Sequence, residues 1–402
     1  MSLREEIIQS LEESRNVILN GGVNCIPSKF TRFRSEFVGI TKKTYYLITG
    51  TTKSSKTQLT TFMFMITPVL YYLEHPDKVK PTIMYFPLEE TKRDITLRIY
   101  SYIIGYITDW KVLISPRDLK SIDERKPLPQ SVLDIMKTDS FKRIADAFEE
   151  CILWYSERNP TGVYKTIKNY LREHGKEVYE EIDVTYKDDF GNTINDRVKK
   201  FKEYIPDNPN EYIIPVVDHV GLLSIERNMT LKATIEKLSE YFVILRDNYN
   251  VSPVAIQQQN KESNSLEAFK LNKIRPVKEG LKECSKTGED CTVLIGMTNP
   301  NAYELQEYLG YNVARMKDTF RVLEIVLNRD GMANGLCPLY FNGAINQYIE
   351  LPLPNDPSIE KMYKYAEEVR QESRKIPSVL MFMKSFIHKI TNRNDTKRER
   401  KS

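Results

Sequence analysis

The run Thr44-Tyr-Tyr-Leu-Ile-Thr-Gly-Thr-Thr-Lys-Ser-Ser-Lys-Thr57 places a strand, a loop and the start of a helix in one unbroken segment. Thr44–Thr49 is rich in β-branched, aromatic and apolar residues, which reads as a buried strand ending at Gly50. A helical pattern follows from near Lys56 to about Leu73. A second buried strand, Thr82-Ile-Met-Tyr-Phe-Pro87, and a helix from about Glu89 to Tyr106 come next. Strand and helix alternating in this way predict an α/β fold, a mostly parallel central sheet flanked by helices.

The alternation continues outward. Helices are predicted near 116–123, 129–149, 161–174 and 229–248, and strands at 152–155, 212–217, 252–257, 292–297, 321–327 and 336–341. Residues 1 to about 18 form an amphipathic helical pattern, and the last fifty residues read as helical, ending in Lys397-Arg-Glu-Arg-Lys-Ser402. Residues 176–210 break the pattern. They are highly charged, contain the turn-like Asp189-Phe-Gly-Asn-Thr193, and read as a surface insertion. The resulting division is 1–40 as an N-terminal helix and lead-in linker, 41–352 as the main domain, and 353–402 as a helical basic tail.

Composition sets wide bounds. At 402 residues, with 41% hydrophobic and 28% charged, the chain can bury a substantial core. A net charge of +4 permits nucleic-acid binding without arguing for it. The five cysteines (Cys25, Cys151, Cys284, Cys291, Cys337) are an odd, scattered set, which excludes a disulfide framework and places the chain in a reducing, cytoplasmic setting. The most apolar stretch, Leu59 to Leu73, is interrupted by threonines and falls short of the ~20 residues of a membrane span.

The loop after the first strand carries the chemistry. Gly50-Thr-Thr-Lys-Ser-Ser-Lys56-Thr57 follows the phosphate-loop pattern GxxxxGK[ST], with Ser55 at the second glycine. Backbone N–H groups of such a loop wrap phosphates, and the helix amino terminus adds partial positive charge. Gly50, Thr51, Thr52, Lys53, Ser54, Ser55, Lys56 and Thr57 are therefore candidate contacts to a nucleoside triphosphate. Lys56 would reach the β- and γ-phosphates, and the Thr57 hydroxyl would coordinate Mg²⁺. A second metal-holding oxygen is offered by Asp218, which ends the apolar strand Ile213-Ile-Pro-Val-Val217.

Met84-Tyr-Phe-Pro-Leu-Glu-Glu-Thr-Lys-Arg-Asp-Ile-Thr-Leu-Arg98 resembles the FSLEM strand and helix of DnaB-type replicative helicases. Further segments align with that family in order. Asn20–Thr31 is similar to its GIPTGF lead-in, Asp218-His-Val-Gly-Leu-Leu223 to DYLQLM, and Val254-Ala-Ile-Gln-Gln-Gln-Asn-Lys-Glu262 to IALSQLNRE. Arg275-Pro276, Leu281–Ser285 and Glu289-Asp290 resemble RPxLSDLRESGxIEQDAD, and Leu327-Asn-Arg-Asp-Gly331 resembles KQRNGPTG. The resemblance spans roughly residues 16 to 352 and implies a RecA-like P-loop NTPase core that hydrolyses ATP and translocates on single-stranded DNA as a hexameric ring. It places the catalytic glutamate on Glu89, the γ-phosphate-sensing glutamine on Gln258, and a finger reaching the neighbouring subunit's nucleotide on Arg329. The DNA-facing candidates lie in Arg227–Lys232 and Lys261–Lys278, with Lys270, Lys273, Arg275 and Lys278 foremost.

Three departures stand out: Ser55 at the loop glycine, Leu327 at a family lysine, and a short helix where the family carries a primase-contacting domain. They fit a phage or mobile-element protein whose loader and primase the sequence leaves unspecified. Ser55 and Leu327 also keep open a catalytically weakened structural or loading module, and a RecA-like recombinase or recombination mediator stays a separate alternative. An amphipathic stretch at 378–390 reads as packing on the motor or a partner chain more than on a membrane surface.

Overall fold

The structure, a computed structural model, describes residues 2–51, 53–187, 190–191, 193–260 and 274–372; of these, the side chains of residues 194 and 195 are excepted. Its strands in chain order are β1 (Cys25–Pro27), β2 (Gly39–Thr41), β3 (Tyr46–Gly50), β4 (Lys80–Pro87), β5 (Ile152–Trp154), β6 (Gly175–Lys187), β7 (Thr193–Pro206) and β8 (Glu211–Asp218). They continue as β9 (Val254–Gln258), β10 (Val293–Thr298), β11 (Glu307–Tyr308), β12 (Tyr311–Asn312), β13 (Phe320–Asn328), β14 (Leu336–Asn342) and β15 (Gln347–Glu350). A single large sheet has the order β15-β14-β13-β10-β3-β9-β8-β4-β5. From β10 to β5 neighbours pair in parallel, whereas β13, β14 and β15 extend the sheet as an antiparallel meander.

The parallel strands are apolar at nearly every position because both faces are covered. Tyr46, Ile48, Ile83, Tyr85, Ile214 and Val216 point into one core, and Leu47, Met84, Phe86, Ile213 and Val217 into the other. Helices α2 (Lys56–Thr61), α3 (Thr67–Glu74), α4 (Lys92–Ile107), α6 (Gln130–Met136) and α7 (Asp139–Cys151) cover the first face, with α5 (Pro116–Leu119) against α4. Helices α8 (Pro160–Glu173) and α9 (Leu231–Tyr249) cover the second. A π-turn, Phe62–Ile66, joins α2 to α3 in one continuous rod. The first helix, α1 (Leu3–Leu19), buries none of its residues.

Several expectations shift in detail. α4 starts at Lys92, not Glu89, because the Thr91 hydroxyl accepts from the Asp94 N–H (3.2 Å) and caps it there. Glu89 is thereby left in the loop between strand and helix. The helix predicted over 129–149 is two, since Thr138 caps a fresh start by accepting from Phe141 N–H (3.3 Å). Residues 175–187 and 193–206 form a two-stranded ribbon, β6 against β7, with Phe190 and Gly191 between the two strands in sequence. The ribbon's base is anchored by the Tyr204 hydroxyl donating to Leu171 O (3.0 Å) and the Tyr249 hydroxyl donating to Glu177 (3.0 Å). The stretch read as a linker is packed, with Ile26, Phe30, Phe33, Phe37 and Ile40 in the first core. The stretch read as a tail also joins the body as far as helix Ile359–Glu372, whose Ile359, Tyr363 and Ala366 pack on Phe320 and Tyr340. Residues 373–402, including 378–390, lie outside the described residues. No described helix is long and apolar enough to cross a membrane.

Candidate functional site

Parallel pairing brings the carboxyl ends of β3, β4, β8 and β9 to one edge of the sheet. Gly50 stands opposite Gln258, and Pro87 opposite Asp218. Gly50 has to be glycine, since a Cβ there would come within 2.5 Å of Met297 O. The loop then turns through Lys53 (φ 63°) and Ser55 (φ 73°), both left-handed, before α2 begins at Lys56. Thr52 lies outside the described residues.

Lys56 is 8% exposed and donates from Nζ to Thr51 O (2.9 Å), folded back over its own loop. Burial pushes its pKa down to about 8, against the opposing pull of Asp218 and Glu89. Thr57 Oγ1 donates to Asp218 Oδ1 (3.2 Å), and the Tyr85 hydroxyl donates to Asp218 Oδ2 (2.9 Å). Asp218 is 2% exposed, and burial raises its carboxyl to about 6 despite those two hydrogen bonds. A nearly dry carboxylate beside a threonine hydroxyl, facing neutral donors, is the hard-oxygen donor set that suits Mg²⁺. Thr57 and Asp218 thus fit the metal expected of them. The described residues hold no cluster of three or more His, Cys, Asp or Glu, so phosphate and water oxygens would complete the shell.

The carboxyl of Asp218 is raised above its unfolded value of 3.8, so folding favours its protonated form. Its contribution to stability is complete below pH ~4 and is lost as pH rises through about 6. Asp218→Asn is therefore expected to remove a loss of ~3 kcal/mol between those limits. Unfolding of the nucleotide-free wild type and variant across this window measures it; identical pH slopes would contradict the assignment.

Glu89 extends from the loop after β4 with its side chain 52% exposed, its Oε2 lying 3.8 Å from Nε2 of His219. Burial lowers the His219 pKa, and its Nδ1 accepts from Gly221 N–H (3.2 Å), so Nε2 faces Glu89. His219, Tyr85 and Asn299 are site neighbours that sequence reasoning misses. Only the adjacency of His219 to Asp218 is visible in the sequence. Gln258 is half-buried at the end of β9. Its neighbours Gln257 and Gln259, on the other face of the strand, are committed to structure. Gln257 Nε2 donates to Lys282 O and Cys284 O, and Gln259 Nε2 to Thr49 Oγ1 and Val277 O.

The structure of a DnaB-like replicative helicase and its interactions with primase superposes with a TM-score of 0.59 at 14% identity, over 88% of this chain and 67% of that one. A second solved structure, an ATPase domain, superposes with a TM-score of 0.57 at 15% identity, over 87% of this chain and 99% of that one. The fold is RecA-like, of the DnaB ATPase type. At these identities the likeness is one of fold. No protein-family model and no curated protein matches the sequence.

In this RecA-like core Arg329 stands at the opposite edge from the phosphate loop. It follows Asn328, which pairs with Val293, and Val293 pairs with Tyr46 at the amino end of β3. The length of β3, about 13 Å, separates it from its own loop. Its Nε donates to Cys291 O (2.9 Å), and a second guanidinium nitrogen to Glu289 O. Arg275 pairs through both Nε and Nη2 with Glu324, whose residue is 4% exposed. That cation neutralises a buried carboxylate while its own side chain stays 37% exposed. Lys278 is half-buried in a 3-10 turn, while Lys270 and Lys273 lie outside the described residues.

Proposed function

We propose that this chain is an ATP-hydrolysing, DnaB-like motor that translocates on single-stranded DNA during replication, assembled as a hexameric ring. One observation carries the reading. Lys56, Thr57, Glu89, Asp218 and Gln258 converge at one sheet edge, while Arg329 stands at the other. With Arg329 on the far edge, a neighbouring copy would bring its own Arg329 to this site.

In this reading Lys56 leaves Thr51 O to bind phosphate oxygens, and its lowered pKa recovers beside that negative charge. Thr57 and Asp218 would hold Mg²⁺, which when bound would neutralise phosphate charge. Glu89 orients the attacking water and accepts its proton, with the His219 ring 3.8 Å from its carboxylate. Gln258, on the same strand end as the segment that runs on to residue 274, couples the γ-phosphate to that segment. Lys270, Lys273, Arg275 and Lys278 are the proposed DNA contacts, and their charge makes binding salt-dependent.

The test is strand separation. A forked duplex with one single-stranded arm is expected to be unwound in the presence of ATP and Mg²⁺, with Lys56→Ala inactive. Strand exchange between homologous DNAs without unwinding would favour a recombinase instead.

A further inference from the structure

Ser55 occupies a left-handed backbone position (φ 73°, ψ 32°) that favours glycine, yet its hydroxyl makes no helix-capping bond. That hydroxyl accepts from Arg321 Nε (3.3 Å) and Nη2 (3.2 Å), across from β13. The remaining Arg321 donors are also committed: Nη1 to Asp318 O (2.7 Å) and Phe320 O (2.9 Å), and Nη2 to Asp318 Oδ1 (3.3 Å). Arg321 is 2% exposed, and its guanidinium lies 5.0 Å from the Phe341 ring centroid. The Tyr348 hydroxyl donates to Ser55 O (3.3 Å). Asn299 Nδ2 bridges Asp318 Oδ1 (3.0 Å) and Lys53 O (3.4 Å), so both left-handed residues of the loop are tied to one group of side chains.

We propose that Arg321 is a positioning residue of the phosphate loop, holding Ser55 in the turn that glycine would otherwise supply. The planar guanidinium presents five N–H donors in a fixed fork, and in this chain two of them need the Ser55 hydroxyl. Serine at this position is thus matched to Arg321 rather than a damaged glycine. Glycine there would relieve the backbone but leave two buried donors without a partner. The inference rests on the nucleotide-binding reading of the loop.

A double-mutant cycle tests it, with Ser55→Gly, Arg321→Met and the pair, each titrated with N-methylanthraniloyl-ATP and Mg²⁺ and melted without nucleotide. Arg321→Met is expected to weaken nucleotide binding about tenfold in the wild-type background and at most about threefold beside Ser55→Gly, the coupling of residues in direct contact. Ser55→Gly alone is expected not to tighten binding. Arg321→Lys keeps the charge without the fork and restores only part of the affinity; it also takes the cycle's place if the methionine variant does not fold. Equal losses in both backgrounds, or a fall in Tm with the folded protein's affinity unchanged, overturn the proposal while leaving the nucleotide site standing. A wild type that binds no analogue overturns both.

Discussion

Arg329→Ala is expected to lower steady-state ATP turnover by roughly 10³–10⁵-fold while leaving nucleotide binding intact. The position of the residue is the reason. It follows β13 at the sheet edge that carries the amino end of β3, so it touches no part of its own phosphate loop. Its hydrogen bonds to the carbonyls of Cys291 and Glu289 hold the guanidinium at that edge, which in the proposed ring would face an adjacent protomer's nucleotide. Charge supplied this way acts on the transition state more than on the ground state, so turnover falls and affinity does not. The same geometry predicts complementation. Mixing inactive Arg329→Ala with inactive Lys56→Ala brings intact loops against intact arginines at some interfaces, and turnover should reappear. Mixtures as inactive as either variant alone would show that Arg329 does not act between protomers.

Glu89→Gln is expected to reduce kcat by about 10²–10⁴-fold with nucleotide affinity nearly unchanged. Glutamine keeps the size and polarity of the side chain but cannot accept the water's proton. The carboxylate is half in solvent, ahead of the first turn of α4, and forms no part of the packed core. Removing its charge therefore leaves the fold intact, and a pre-steady-state burst separates chemistry from release. A loss confined to KM would reassign Glu89 to ground-state binding.

Much of the site is legible in the sequence because it is local. An apolar run ending at Gly50, a lysine-threonine pair opening a helix, and an apolar strand ending in Asp218 each carry their meaning within a few residues. Their convergence follows from parallel pairing, which strand–helix alternation predicts. What escapes the sequence depends on distant partners. Arg321 reaches Ser55 across 266 positions, and nothing near either residue signals it. Nothing near Arg275 in the sequence signals its pairing with Glu324, 49 positions away. The β6–β7 ribbon reads as a charged insertion because both of its faces are largely in solvent. Cross-strand pairs such as Asp183 with Arg197 (3.0 Å) replace the apolar alternation that marks a half-buried strand. Glu89 reads as the first acid of a helix, but the side-chain cap at Thr91, two residues on, is the stronger start and leaves the acid in the loop.

ATP turnover by the wild type and Lys56→Ala, each with and without single-stranded DNA, addresses the convergence of Lys56, Glu89, Asp218 and Gln258 most directly. The predicted result is Mg²⁺-dependent hydrolysis by the wild type, stimulated by DNA and abolished by the substitution. Turnover that survives in Lys56→Ala, or a wild type that neither binds nor hydrolyses ATP, would contradict the account.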